Sequence, residues 1–177
     1  MNSDREIELR KSRDNLCNSG AAVLLFGFWM VAKIMIQCMF DRDLYDYITQ
    51  SITETDLSES EIKIIILIFV GIICLFVLSV HVWIGAGSIR YGKGKKKKRA
   101  YLLPAVILIL SAPSSIRSDF RIHEIAREGY ELSDTAIAAA LVDITLTFVL
   151  IDIIYLSIKI GSLSRSSGTN GGNADAG

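Results

Sequence analysis

The chain has 177 residues, 51% of them hydrophobic, and its 19 basic and 19 acidic side chains cancel to a formal net charge of zero. A soluble domain spreads its charges along the sequence, whereas here no Asp, Glu, Lys or Arg occurs from Ile64 to Ile89 or from Ala100 to Ile116. Such gaps argue against a soluble enzyme, a disordered polar chain and a secreted disulfide scaffold. They predict an all-α membrane protein whose residues 1–160 form a bundle of four transmembrane helices.

A bilayer core about 30 Å thick needs about 20 apolar residues in helix. The first expected span covers residues 20–40 and is interrupted only by Lys33 and Gln37. Its apolar run is longer than that of a signal peptide, and no small-x-small cleavage pattern precedes Asp41, so it reads as a retained span. An acidic loop follows, in which Ser58 and Glu61 fit a capping box that starts the next helix. The second span, residues 64–86, is the most apolar.

The third span, residues 100–116, is the weakest. Pro104 falls in its first turn, where a missing N–H costs little, and Pro113 is expected to kink or end the helix. Residues 115–132 either extend this helix or lie at the membrane surface. The fourth span, residues 135–159, carries Asp143 and Asp152. The Gly/Ser/Asn-rich stretch 161–177 is expected to be a disordered cytoplasmic tail.

Lys and Arg in short loops set orientation. The N-terminal flank, the loop from Arg90 to Arg99 and the C-terminal flank together hold thirteen basic residues, against five on the opposite side. Both termini are therefore expected in the cytoplasm, with the protein in the cell membrane. Arg90, Lys93, Lys95, Lys96, Lys97, Lys98 and Arg99 are candidate contacts for anionic lipid headgroups, in addition to anchoring topology. Nucleic acid is not an expected partner, because Tyr91 is the one aromatic in that loop.

Ionisable groups inside a span cost about 2.5–3.5 kcal/mol on insertion scales and mark partners or pathways. Lys33 and Asp143 each lie seven residues from the outer end of their span, which suggests an ion pair. His81 and Asp152 lie toward the cytoplasmic side and form a second candidate pair, with Tyr155 as another group able to satisfy Asp152. Asp143 and Asp152 point to opposite faces of their helix, being nine residues apart. Two stripes of small and polar residues are expected to face the interior: Gly71, Cys74, Leu78, His81, Gly85 and Ser88 on the second span, and Ala136, Ala139, Ala140, Asp143 and Thr147 on the fourth.

The three cysteines and two histidines have no metal-site spacing, and no nucleophile, phosphate-loop or zinc-protease motif occurs. No cofactor, catalytic residue or metal ligand is assigned. The expected role is structural or accessory, exerted through membrane-protein partners or a second copy of the chain. The alternative is a subunit of a small transporter or channel that uses the buried Lys, Asp and His.

Overall fold

In the computed structural model, residues 2–40, 59–95, 99–125 and 134–168 are described. They form four helices: α1 (Asn2–Phe40), α2 (Glu59–Gly92), α3 (Leu102–Ile125) and α4 (Asp134–Gly168), and the described residues contain no strand. A backbone surrounded by lipid must satisfy its N–H and C=O groups internally, and the helix does so within one segment. Three helices, α1, α2 and α4, are long and apolar enough to cross a membrane, whereas the apolar part of α3 is the shorter stretch Leu102–Arg117.

The outward faces agree with this. Leu67, Phe69, Leu75 and Phe76 on α2 are each 60% exposed or more, and Leu25, Leu110 and Phe148 are similarly open on the other helices. Apolar faces of this extent are compatible with a lipid surrounding. Serine and threonine hydroxyls inside the apolar stretches are neutralised locally: Ser79, Ser88, Thr145, Thr147 and Ser157 each donate to the carbonyl four residues back.

The helices run past the apolar segments. At 39 residues α1 is about 58 Å long, and α4 at 35 residues about 52 Å, both beyond the membrane thickness of about 40–45 Å. α4 continues to Gly168, so residues 161–168 of the expected disordered tail are helical, and residues 169–177 lie outside the described residues. Once Ile160 and Gly161 are packed, each further residue adds one backbone bond to an existing helix, which costs far less than starting one. Pro113 does not end α3, which continues for twelve residues to Ile125. The ring removes only one backbone bond, and a long helix absorbs that loss. α2 begins at Glu59, one residue after the expected cap Ser58, which itself lies outside the described residues.

The contacts divide the chain into two compact units, Met1–Leu24 with Val82–Gly177, and Leu25–His81. In the first unit, the buried positions of α4 include Ala140, Leu156 and the row Asp143, Leu146, Leu150, Ile153, Ser157 and Ile160. The 3-4-3-4-3 spacing of that row matches the 3.5-residue seam of left-handed helix packing. α3 packs along α4. The Tyr101 and Ser157 hydroxyls bond at one end (2.7 Å) and Ser115 donates to Asp143 at the other (2.9 Å). The two helices are therefore antiparallel over fourteen residues of each, about 21 Å.

α1 crosses α2 where Gly20 meets Gly85. A Cβ on Gly85 would come within 2.7 Å of the Gly20 carbonyl oxygen and of Leu24 Cγ, and one on Gly20 within 2.9 Å of the Gly85 oxygen. Backbones this close are how helices gain packing in lipid, where burying apolar surface drives nothing. α1 also meets α4, through Ser19–Asp152 (2.7 Å) and the ion pair Glu8–Lys159 (2.8 Å).

In the second unit His81 lies against Gly27, whose added Cβ would be 2.7 Å from that of the histidine. Ile62, Val70, Cys74 and His81 are the buried face of α2 there. Gly71, expected on the interior stripe, is instead exposed, with no atom within 4 Å of a built Cβ. Its neighbour Val70 takes the buried position, and one residue along a helix rotates the side chain by about 100°.

Candidate functional site

Two groups of residues carry chemistry: the polar groups inside the apolar segments, and the basic turn between α2 and α3. Asp143 is 4% exposed and accepts a hydrogen bond from Ser115. Asp152 lies at the surface and accepts from Ser19. His81 is 1% exposed, and its Nδ1 is 2.8 Å from the carbonyl oxygen of Val77, one turn back on its own helix. A carbonyl only accepts, so Nδ1 carries the hydrogen and Nε2 is left as an acceptor. That nitrogen is buried and has no hydrogen-bond partner among the described residues. Lys33 is half-buried on α1. Lys33 and His81 belong to the second unit, Asp143 and Asp152 to the first.

The shown interhelical bonds of Asp143, Asp152 and Tyr101 all involve a serine: Ser115 donates to Asp143 and Ser19 to Asp152, while Ser157, whose hydrogen goes to the Ile153 carbonyl, accepts from the Tyr101 hydroxyl. Such bonds average about 0.6 kcal/mol in membrane proteins, reaching about 1.7 kcal/mol, so they align helices more than they hold them together. None of these serines was singled out from the sequence. A serine has no spacing signature, and a depth comparison restricted to charged residues passes over it.

The turn is built from the end of α2. Lys93 N–H bonds the Ile89 carbonyl, Gly94 N–H that of Tyr91, and Lys95 N–H that of Arg90. The last two are the 5→2 and 6→1 bonds of a Schellman motif, which needs a left-handed residue at its centre. Gly94 fills it with φ = 71°. Arg90, Lys93 and Lys95 are exposed, and Lys96, Lys97 and Lys98 lie outside the described residues.

Arg99 behaves differently from these lysines. Its Nε donates to the Tyr91 hydroxyl (2.9 Å), and its guanidinium carbon stands 5.4 Å from the Tyr91 ring centre. The guanidinium fills the space that a side chain at position 161 of α4 would occupy. Tyr91 and Tyr101 rings are 6.0 Å apart and tilted by 53°, so one cluster ties α2, α3 and α4 together. A cation over an aromatic face contributes about 0.5–2 kcal/mol, more as water is excluded.

Beside this cluster, Cys17 Sγ contacts the Ile89 carbonyl at 3.7 Å and packs where a Gly92 side chain would be. Burial pushes the Cys17 thiol up from its ordinary value; Lys93 pulls the other way and Asp14 reinforces the rise. The thiolate is the nucleophile, so Cys17 should alkylate more slowly near neutral pH than a cysteine introduced at the exposed Ser164, and should catch up as the pH is raised. Equal maleimide rates at neutral pH in detergent would contradict the burial. At the helix ends, Lys159 holds the Glu8 carboxyl below its ordinary value. This contribution is present above the ordinary carboxylate range and fades as the pH falls through the lowered value. Glu8 is fully exposed, so the pair adds little.

Among the described residues no group of three His, Cys, Asp or Glu side chains is placed to hold a metal ion. The polar geometry can align helices and present positive charge at one end of the first unit. Comparison of the chain with protein-family models, with curated proteins and with solved structures gives no match in any of the three.

Proposed function

We propose that the chain is a four-span integral membrane protein with both termini and the basic turn on the cytoplasmic side of the cell membrane. In this reading it is a structural or accessory subunit that works through other membrane proteins or a second copy. The observation that carries the fourth span is the antiparallel run of α3 along α4, from Tyr101–Ser157 to Ser115–Asp143. α4 is apolar enough to cross a membrane, and α3 accompanies it over about 21 Å of that path. Within the first unit, α1 meets α2 and α4, and α3 runs along α4, which supports the reading. The excess of basic residues on one side supports the orientation.

An accessory role is supported by how Asp143 and Asp152 are used: each accepts from a serine of a neighbouring helix. The buried acceptor Nε2 of His81 favours the second reading, a subunit of a small transporter or channel that uses the buried Lys, Asp and His. Topology is tested by outside labelling of single cysteines in a background lacking Cys17, Cys38 and Cys74. Ser51→Cys should label in intact cells and Ser164→Cys should not; the reverse overturns the orientation. Co-purification of a defined partner without ion flux in proteoliposomes supports the accessory role. Flux that is abolished by Asp143→Asn replaces it with the transport reading.

A further inference from the structure

The fold brings a residue from the N-terminal part of α1 to the basic turn. The Arg13 carbonyl oxygen is 2.9 Å, and the Cys17 sulfur 2.6 Å, from where a Cβ on Gly92 would be. Arg13 Nη1 is 4.0 Å from the corresponding point on Gly94, so the guanidinium lies beside the Schellman turn. Lys93 directly precedes Gly94 in this turn and is exposed. Lys95 follows Gly94 directly and is exposed.

The Arg13 guanidinium thus lies beside a turn that carries two exposed lysines, and among the described residues no ion pair is shown for Arg13, Lys93 or Lys95. Asp14 is the acidic neighbour; it also acts on Cys17, and it offsets one charge of the three. Arg13 Nε is buried with no hydrogen-bond partner among the described residues. The burial of Nε holds the stem of this side chain in place, while the residue as a whole is only partly buried. The N–H groups of Gly94 and Lys95 are committed to the turn, so recognition falls to side chains. A guanidinium beside a fixed turn that carries two lysines offers the charge and the forked donors that suit a phosphate group.

We propose that Arg13, Lys93 and Lys95 form a phosphate-binding site at the end of α2, occupied by the phosphate of an anionic phospholipid headgroup or by a free phosphate anion. The site differs from a diffuse basic surface because Arg13 comes from another helix, about 80 positions away in sequence. Its occupancy would tie α1 to the turn.

The test uses the full chain purified in a neutral detergent, with unfolding followed by tryptophan fluorescence. One arm adds dioleoylphosphatidylglycerol against dioleoylphosphatidylcholine; the other adds inorganic phosphate against chloride at equal ionic strength. A rise in the unfolding midpoint in the first arm alone identifies a lipid headgroup, and a rise in both identifies a site that takes free phosphate. Arg13→Gln should weaken the midpoint response roughly ten- to a hundredfold in ligand concentration, the loss of one charge-assisted contact. Lys93→Gln, whose side chain is exposed, should weaken it in the same direction and serves where Arg13→Gln lowers folding yield. Lys11→Gln removes an equal charge from a different face of α1 and should leave the response in place. No response in either arm, or an equal loss in Lys11→Gln, overturns the site.

Discussion

Gly85→Leu should lower the thermal stability of the detergent-solubilised protein by several degrees, while Gly71→Leu on the same helix should leave it nearly unchanged. Both substitutions raise helix propensity by the same amount, so the difference isolates packing. At Gly85 even a methyl group would sit 2.7 Å from the Gly20 carbonyl oxygen and from Leu24 Cγ, and the first of these is backbone that cannot turn aside. α1 and α2 must therefore separate. Overpacking of this kind costs about 1–3 kcal/mol, and the helices also lose the close backbone contact they have at the crossing. At Gly71 nothing lies within 4 Å, and leucine adds one more apolar side chain to an outward face. Equal losses for the two variants would show that α1 and α2 do not meet at Gly20 and Gly85.

These two glycines also show what the sequence reveals and where it stops. Long runs without charge locate the helices, because lipid permits few other backbone states. Helical periodicity then groups Gly71 with Gly85, since both are small and both sit on a plausible stripe. Only one touches a neighbour. Which small residue is a contact depends on the rotation of the helix within its unit, and the seam shows it: Val70, Cys74, His81, Ile84 and Ser88 are buried, and Gly71 falls just outside. The helix ends were hidden for a related reason. Residues 2–19 of α1 and 160–168 of α4 carry too much polarity to count as span, yet Ser12, Leu16, Ile160 and Gly161 repeat the buried spacing beyond the apolar run. The serine partners of Asp143, Asp152 and Tyr101 were invisible because a hydroxyl has no pattern until its neighbour is known.

Arg99 is the clearest instance of a residue whose composition misleads. In a run of basic residues it reads as one more headgroup contact, but its guanidinium lies over Tyr91 and against Gly161. Gly161→Val should expel it. The expected cost is about 2–4 kcal/mol, combining overpacking at position 161 with loss of the cation over the ring. Arg99→Ala alone should cost less, through the lost stacking and the lost bond to the Tyr91 hydroxyl. With Arg99 already truncated, valine at position 161 has room. The double variant should therefore be clearly more stable than the sum of the two single losses implies, a coupling read from a double-mutant cycle of unfolding midpoints. Strict additivity would mean that the arginine does not occupy the glycine's space.

The brevity of the apolar part of α3 bears on how the protein is made. A helix that offers only Leu102–Arg117 to the bilayer, about 24 Å, with a proline within it, is a poor candidate for stable partition into lipid on its own. α4, which carries the serine and aspartate partners of Tyr101 and Ser115, is synthesised only afterwards. In the four-span reading, residence of α3 in the membrane is thus conferred late, by the segment that follows it. In that reading α4 acts as an internal chaperone for α3.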